Sequence, residues 1–241
     1  MRQTARCLLL SLGFLSRLAP AFTGSNKEMG RAFALFPLSG AILAAVSCLP
    51  LYLPLFSRSP LALALITVAF NIWLTRGLHV DGLADTLDAL GSMKFGDEFH
   101  AVRKDSRTGA FGALAIALYF VGTVVLLSEN IRLAMPLTYF SALAASRCMP
   151  ILVVALAAPH SSSTLGKLFT AEWPARILAL LCALLALSPL PLFALCLALL
   201  FSGGLLLFLR RLSTLHGGYS GDFLGFAILG TEMIILATPL L

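Results

Sequence analysis

Most of this chain can exist only as helix embedded in a membrane. Apolar runs follow one another with short polar breaks between them. In lipid, every backbone N–H and C=O must find its partner within a helix or a closed barrel. Residues 32–56, 61–76, 109–128, 134–158, 175–188, 191–209 and 223–241 each read as a spanning helix. Charged residues are 12% of the 241 and hydrophobic ones 59%, whereas a soluble domain is about 25% charged. The expected fold is therefore all-α: one polytopic integral membrane helical bundle over 1–241, with about seven transmembrane helices. The run Leu8 to Leu15 is too short to span and is read as an N-terminal interfacial or re-entrant helix ending at Pro20. Met1 to Phe22 has no convincing small-residue cleavage site and does not read as a cleavable signal. No internal repeat supports an inverted-repeat transporter.

The formal net charge is +6. Lys and Arg collect in cytoplasmic loops of membrane proteins, so the excess reads as topology and not as nucleic-acid binding. With the N-terminus in the cytoplasm, 14 of the 17 cations fall inside: five in 1–31, five from Arg76 to Arg107, and Lys167, Arg176, Arg210 and Arg211. Arg58 and Arg132 fall outside, and Arg147 lies within a span. The five cysteines are scattered through apolar runs with no metal or disulfide spacing. The sequence leaves oligomeric state open, a homo-oligomer included.

That orientation gathers three polar stretches on the cytoplasmic side. The first is Gly77 to Gly91, GLHVDGLADTLDALG. Asp81, Asp85 and Asp88 are spaced four and three apart, on one face of a helix. Like charges so placed repel, and a divalent cation is the obvious offset. Oxygen ligands at this density suit Mg²⁺ or Mn²⁺, with substrate phosphates completing the shell. A merely solvated helix face is the plain alternative. Gly82 and Ala84 argue against it, because small residues leave the backbone open to a ligand.

The second stretch is Lys104 to Gly112. Asp105 is a plausible further ligand or proton acceptor, and Lys104 and Arg107 suit diphosphate oxygens. The third is HGGYSGD, where Gly217, Gly218 and Gly221 would offer backbone N–H groups to phosphate at a helix N-terminus. Asp222 there reads equally as helix cap or ligand. Arg147, inside a span, needs a partner. Asp222 or a substrate phosphate are the candidates, while Glu232 sits deep enough to be structural. His79 is two residues from Asp81 and reads as well as an interfacial residue.

The combination of GLHVDGLADTLDALG, RKDSRTGAFG and GGYSGD between apolar spans resembles the cobalamin synthase family, the adenosylcobinamide-GDP ribazoletransferases. Phe14-Leu15-Ser16-Arg17-Leu18, Phe36-Pro37-Leu38-Ser39-Gly40 and Ser146-Arg147 extend the likeness over most of the chain. Thr108 and Tyr219-Ser220 depart from the family pattern without removing a charged position. The resemblance implies that adenosylcobinamide-GDP and α-ribazole, or its phosphate, are joined with release of GMP at the bacterial inner membrane. It implies Mg²⁺ held by Asp81, Asp85 and Asp88, with Asp88 or Asp105 taking the proton of the attacking hydroxyl. Lys104, Arg107, Arg147, Gly217, Gly218, Gly221 and Asp222 would contact the substrate. Two other classes compete. A CDP-alcohol phosphotransferase also has an Asp-Gly start, but wants an Arg where Asp85 stands and a Gly-x-x-x-Asp-x-x-x-Asp array that is absent. An ion or metal transporter would hold its acids nearer the membrane midplane.

Overall fold

A computed structural model describes residues 2–20, 24–53, 59–105, 107–169 and 172–241. Of the sequence expectations, Pro54, Arg58 with most of the turn around it, and Ser106 lie outside the described residues. The described residues form helices and turns, with a single isolated bridge, Pro159 to Tyr219, as the β-type pairing among them. Along the chain the helices are α1 (Arg2–Leu15), α2 (Asn26–Ala34), α3 (Phe36–Ser47), α4 (Pro60–Leu74), α5 (Leu78–Gly91), α6 (Gly96–Arg103) and α7 (Ala110–Arg132). Then come α8 (Leu137–Ser146), α9 (Met149–Leu156), α10 (Thr164–Leu168), α11 (Trp173–Leu187), α12 (Leu192–Leu215) and α13 (Gly221–Ala237).

Among the described residues four helical stretches are long and apolar enough to cross a membrane: Ala110–Arg132, Leu137–Leu156, Leu192–Leu215 and Gly221–Leu240. Up to six result if two bent pairs each count as a span. The chain is thus an all-helical, multi-pass membrane protein. Leu118 and Val121 on α7 and Leu200 and Leu207 on α12 turn outward, as lipid-facing residues should.

The expected first span starts earlier than the apolar run suggests and is broken. α2 begins at a capping box in which Ser25 and Glu28 satisfy each other's backbone N–H. It meets the continuation through α3 at 61°. Pro37 stands in the first turn of α3, where its missing N–H costs nothing. α12 also outruns expectation, carrying Arg210 and Arg211 on its last turns to Leu215.

The break that positions the candidate site lies between α4 and α5, which meet at 88°. Arg76 and Gly77 are consecutive left-handed residues, at φ 58° and 66°. Glycine adopts this region freely; arginine does so at a cost. The Arg76 guanidinium is tied down, donating to the carbonyls of Gly13 (2.6 Å) and Phe14 (2.9 Å) at the end of α1. Arg17 completes the clasp, its backbone N–H bonding Leu74 O and its Nε bonding Trp73 O.

After the break α5 packs on α13 and α7 and lies across their N-terminal turns. A Cβ on Gly82 would stand 3.0 Å from Asp222 Cα, and one on Gly225 would stand 3.4 Å from Gly82 Cα. Gly82 is therefore small because two backbones cross there. That corrects the expectation that it keeps space for a ligand.

Candidate active site

α5 brings Asp81, Asp85 and Asp88 to the ends of α13 and α7, outside the four long apolar stretches. Asp81 is exposed; Asp85 and Asp88 are half-buried. Asp85 is the most perturbed. Burial, then the charges of Asp81 and Asp222, push its carboxyl up to about 7, with Arg103 opposing and Asp88 adding a little. Four carboxylates therefore share one neighbourhood, with a single nearby cation set against Asp85. A divalent ion placed there would relieve that repulsion, so the donor chemistry fits Mg²⁺. Even so, among the described residues no three His, Cys, Asp or Glu side chains converge as a formed metal site.

Asp88 has a second task. Its Oδ2 accepts the N–H of Gly109 at 2.7 Å and its Oδ1 that of Gly112 at 2.8 Å. It thereby caps α7 from another helix, supplying the acceptor that Gly109 lacks at the N-cap.

Asp222 pairs with Arg103 of α6, a buried guanidinium. Arg103 in turn donates from Nε to His100 Nδ1 at 3.3 Å. His100 must then carry its proton on Nε2, which donates to His216 O at 2.9 Å. The His100 ring stacks on His160 at 3.7 Å, and His160 Nε2 lies 3.2 Å from Asp97 Oδ1. Neither Arg103 nor His100 is among the sequence candidates. Their signal was a short helix inside a polar stretch: Asp97 and Glu98 in the first turn, His100 and Arg103 in the last, around buried Phe99.

The remaining candidates are placed as follows. Asp105 is engaged by Arg107 through Nε and Nη2, the latter at 2.7 Å, and is held down to about 2 by those bonds. Both border an open pocket of about 400 Å³ with Asp88 and Gly109. Lys104 caps the end of α6 and is exposed. Gly217 and Gly218 adopt φ 73° and 136°. They let the chain run against Pro159 and His160, where a Cβ on Gly218 would sit 2.3 Å from His160 N. The N–H groups of Gly218 and Tyr219 are taken by Ser213 O and Ala158 O. That corrects the expected role of Gly218 as a phosphate donor, because backbone pairing uses its N–H. Gly221 opens α13 with Asp222 in its first turn.

Arg147 is also corrected. It is fully buried at the α8–α9 break and pairs with Glu232, not with Asp222. Leu143 O and Ser146 Oγ accept from the same nitrogen at 3.0 Å, and Tyr119 donates to Glu232 Oε2 at 2.7 Å. A guanidinium so enclosed does not reach a phosphate at the surface. Glu232 is structural, as its depth implied.

The family model described as cobalamin-5-phosphate synthase matches residues 7–240. A protein from Nitratidesulfovibrio vulgaris (strain DSM 19637 / Miyazaki F), named adenosylcobinamide-GDP ribazoletransferase, is 38% identical over 242 residues, covering 98% of this chain and 95% of its own. Proteins of the same name from Syntrophobacter fumaroxidans and Desulfitobacterium hafniense are 34% and 32% identical. They cover 94% and 98% of this chain, and 95% and 98% of their own. No solved structure matches the chain significantly. The aspartate helix, the RKDSRTGAFG stretch and the GGYSGD turn all fall within the matched range, and the chain belongs to the cobalamin-5-phosphate synthase family.

Proposed function

We propose that this protein joins adenosylcobinamide-GDP to α-ribazole, or to its 5′-phosphate, giving adenosylcobalamin or its phosphate and GMP. A ribazole hydroxyl attacks the phosphorus that bears the cobinamide arm. A P–O bond forms to the ribazole, and the bond to the GMP phosphate breaks. GMP leaves with the electron pair, and the hydroxyl proton passes to a carboxylate. The observation that carries the reading is the crowding of Asp81, Asp85 and Asp88 with Asp222 at two helix N-termini. Positive helix ends and a cation-seeking acid cluster suit a diphosphate.

Mg²⁺ would be held by Asp81, Asp85 and Asp88 and would neutralise the charge that develops on the leaving and bridging oxygens. The chain's own residues do the rest. Asp88 is fixed in place by the N–H groups of Gly109 and Gly112 at the start of α7, one on each oxygen, and beside a metal one acceptor position remains for the proton. Asp105, held down to about 2, is a poor proton acceptor, so Asp88 is the better of the two. Arg107, at the open pocket beside Asp88, and the exposed Lys104 at the end of α6 suit the diphosphate. Gly221, in the first turn of α13, brings Asp222 to the same place.

The spans number seven in this reading: α2–α3, α4, α7, α8–α9, α11, α12 and α13, in a bacterial inner membrane with α5 and α6 facing the cytoplasm. The count of cytoplasmic cations supports that orientation. The test is GMP release by detergent-purified protein given adenosylcobinamide-GDP with and without α-ribazole. The proposal predicts release only when both are present. Release without α-ribazole, or none with it, contradicts the reaction.

A further inference from the structure

The Arg76–Gly77 break does more than redirect the chain. It opens a cleft of about 630 Å³ between α1, the start of α5 and α7. Leu10, Phe14, Val80 and Ile116 give it apolar walls, and Arg76 and Asp81 are the charged residues that line it. The Arg76 guanidinium is spent on the α1 carbonyls, which holds one wall in place. Asp81 makes no hydrogen bond or ion pair among the described residues. Its carboxylate acts on the cleft at one side and on Asp85 at the other.

We propose that this cleft seats the acceptor: a nucleoside whose bicyclic aromatic base lies against the apolar walls and whose ribose hydroxyls turn to Asp81. The inference rests on the transfer reaction proposed above. Three observations favour this occupant. The volume lies in the range of about 300–1,000 Å³ that suits a drug-sized ligand, enough for a nucleoside. An apolar chamber with a few polar groups at one end matches a flat apolar base joined to a polyhydroxylated sugar. A lipid acyl chain would fit the walls but strip water from the unpartnered Asp81 carboxylate and give nothing back, whereas a ribose hydroxyl donates to it. Asp81 also stands one helical turn from Asp85, so a hydroxyl at Asp81 is already beside the carboxylates that carry the chemistry.

The experiment fills the cleft from an exposed position. Ile116 lies partly exposed on α7, so Ile116→Trp blocks the chamber without touching the carboxylates. Met29→Trp does the same from the other side and serves where Ile116→Trp does not fold. The full-length detergent-purified protein is titrated with α-ribazole alone, and KM is measured for both substrates. The expected result is α-ribazole binding weakened about tenfold or more, with its KM raised to match. The KM for adenosylcobinamide-GDP stays unchanged. Unchanged α-ribazole binding in the Trp variants, the result for a lipid-filled cleft, overturns the proposal. So does a shift in the KM of adenosylcobinamide-GDP instead. A parent protein that binds α-ribazole but releases no GMP refutes the reaction and leaves the cleft. One that releases GMP with Trp variants unaffected refutes the cleft alone.

Discussion

Gly112 has no room for a side chain: a Cβ there would stand 2.3 Å from an Asp88 carboxylate oxygen. Gly112→Ala should push that carboxylate off the α7 N-terminus, destabilise the protein by about 1–3 kcal/mol, and lower turnover further than the stability loss explains. Thermal melting read beside GMP release checks this. Arg147 behaves differently. Arg147→Ala leaves Glu232 charged and enclosed, at roughly 3–5 kcal/mol. Arg147→Met combined with Glu232→Gln should recover most of that stability, because neither charge is then orphaned. Recovery by the pair with GMP release restored marks Arg147 as structural; recovery without release would return it to the site. In the sequence, these residues showed as anomalies without meanings. Arg147 stands out in an apolar run because burying a charge is costly, and that costliness demands a partner. Which acid supplies it depends on how α8 meets α13, and no local pattern carries that. Gly82 was misread for a similar reason. A small residue next to acids is consistent with ligand approach and with helix crossing alike, and only the α13 backbone decides.

At the scale of elements, α5 was legible because its charges recur at helical spacing between apolar runs, and α6 was not. Eight residues in a polar stretch give too short a period to stand out, and what fixes α6 is tertiary: Phe99 stacks on His216, and His100 lies between Arg103 and His160. That arrangement makes α6 sensitive to acid. Burial, first, and the neighbouring His160 hold His100 down to about 4 from an ordinary 6.5, with Arg103 and His216 adding to the effect and the bond to His216 O opposing it. The neutral ring is required, because its Nδ1 accepts from Arg103. The unfolded state takes up a proton that the folded ring refuses. The stability this contributes is thus present above pH 6.5 and is lost as pH falls toward 4. The protection of α6 amides, taken relative to the intrinsic exchange rate at each pH, should fall between pH 7 and pH 5, and His100→Gln, which takes up no proton, should flatten that dependence. Equal pH dependence in the two proteins would place the acid response elsewhere.

For the whole molecule, the apolar runs located most of the long apolar helices to within a few residues, since lipid leaves the backbone few options. The bends escaped notice. The 61° break falls at Leu35, between α2 and α3, and the 88° break rests on a left-handed pair clasped by α1, a tertiary contact. The cation count also predicts an orientation that can be checked. In a variant with its native cysteines replaced, Glu129→Cys should react with an impermeant thiol reagent on intact cells, and Glu98→Cys only after permeabilisation. The reverse pattern would invert the protein and move α5 to the wrong face. The CDP-alcohol and transporter classes give way to the family assignment, leaving the Mg²⁺-dependent use of the α5 carboxylates as the central claim. The most direct test is GMP release by purified protein titrated with Mg²⁺, parent beside Asp85→Asn. The account predicts saturable Mg²⁺ dependence in the parent and a loss of about 10²-fold or more in the variant, with helicity and melting preserved. Release at full rate in EDTA, or an Asp85→Asn protein that matches the parent, would contradict it.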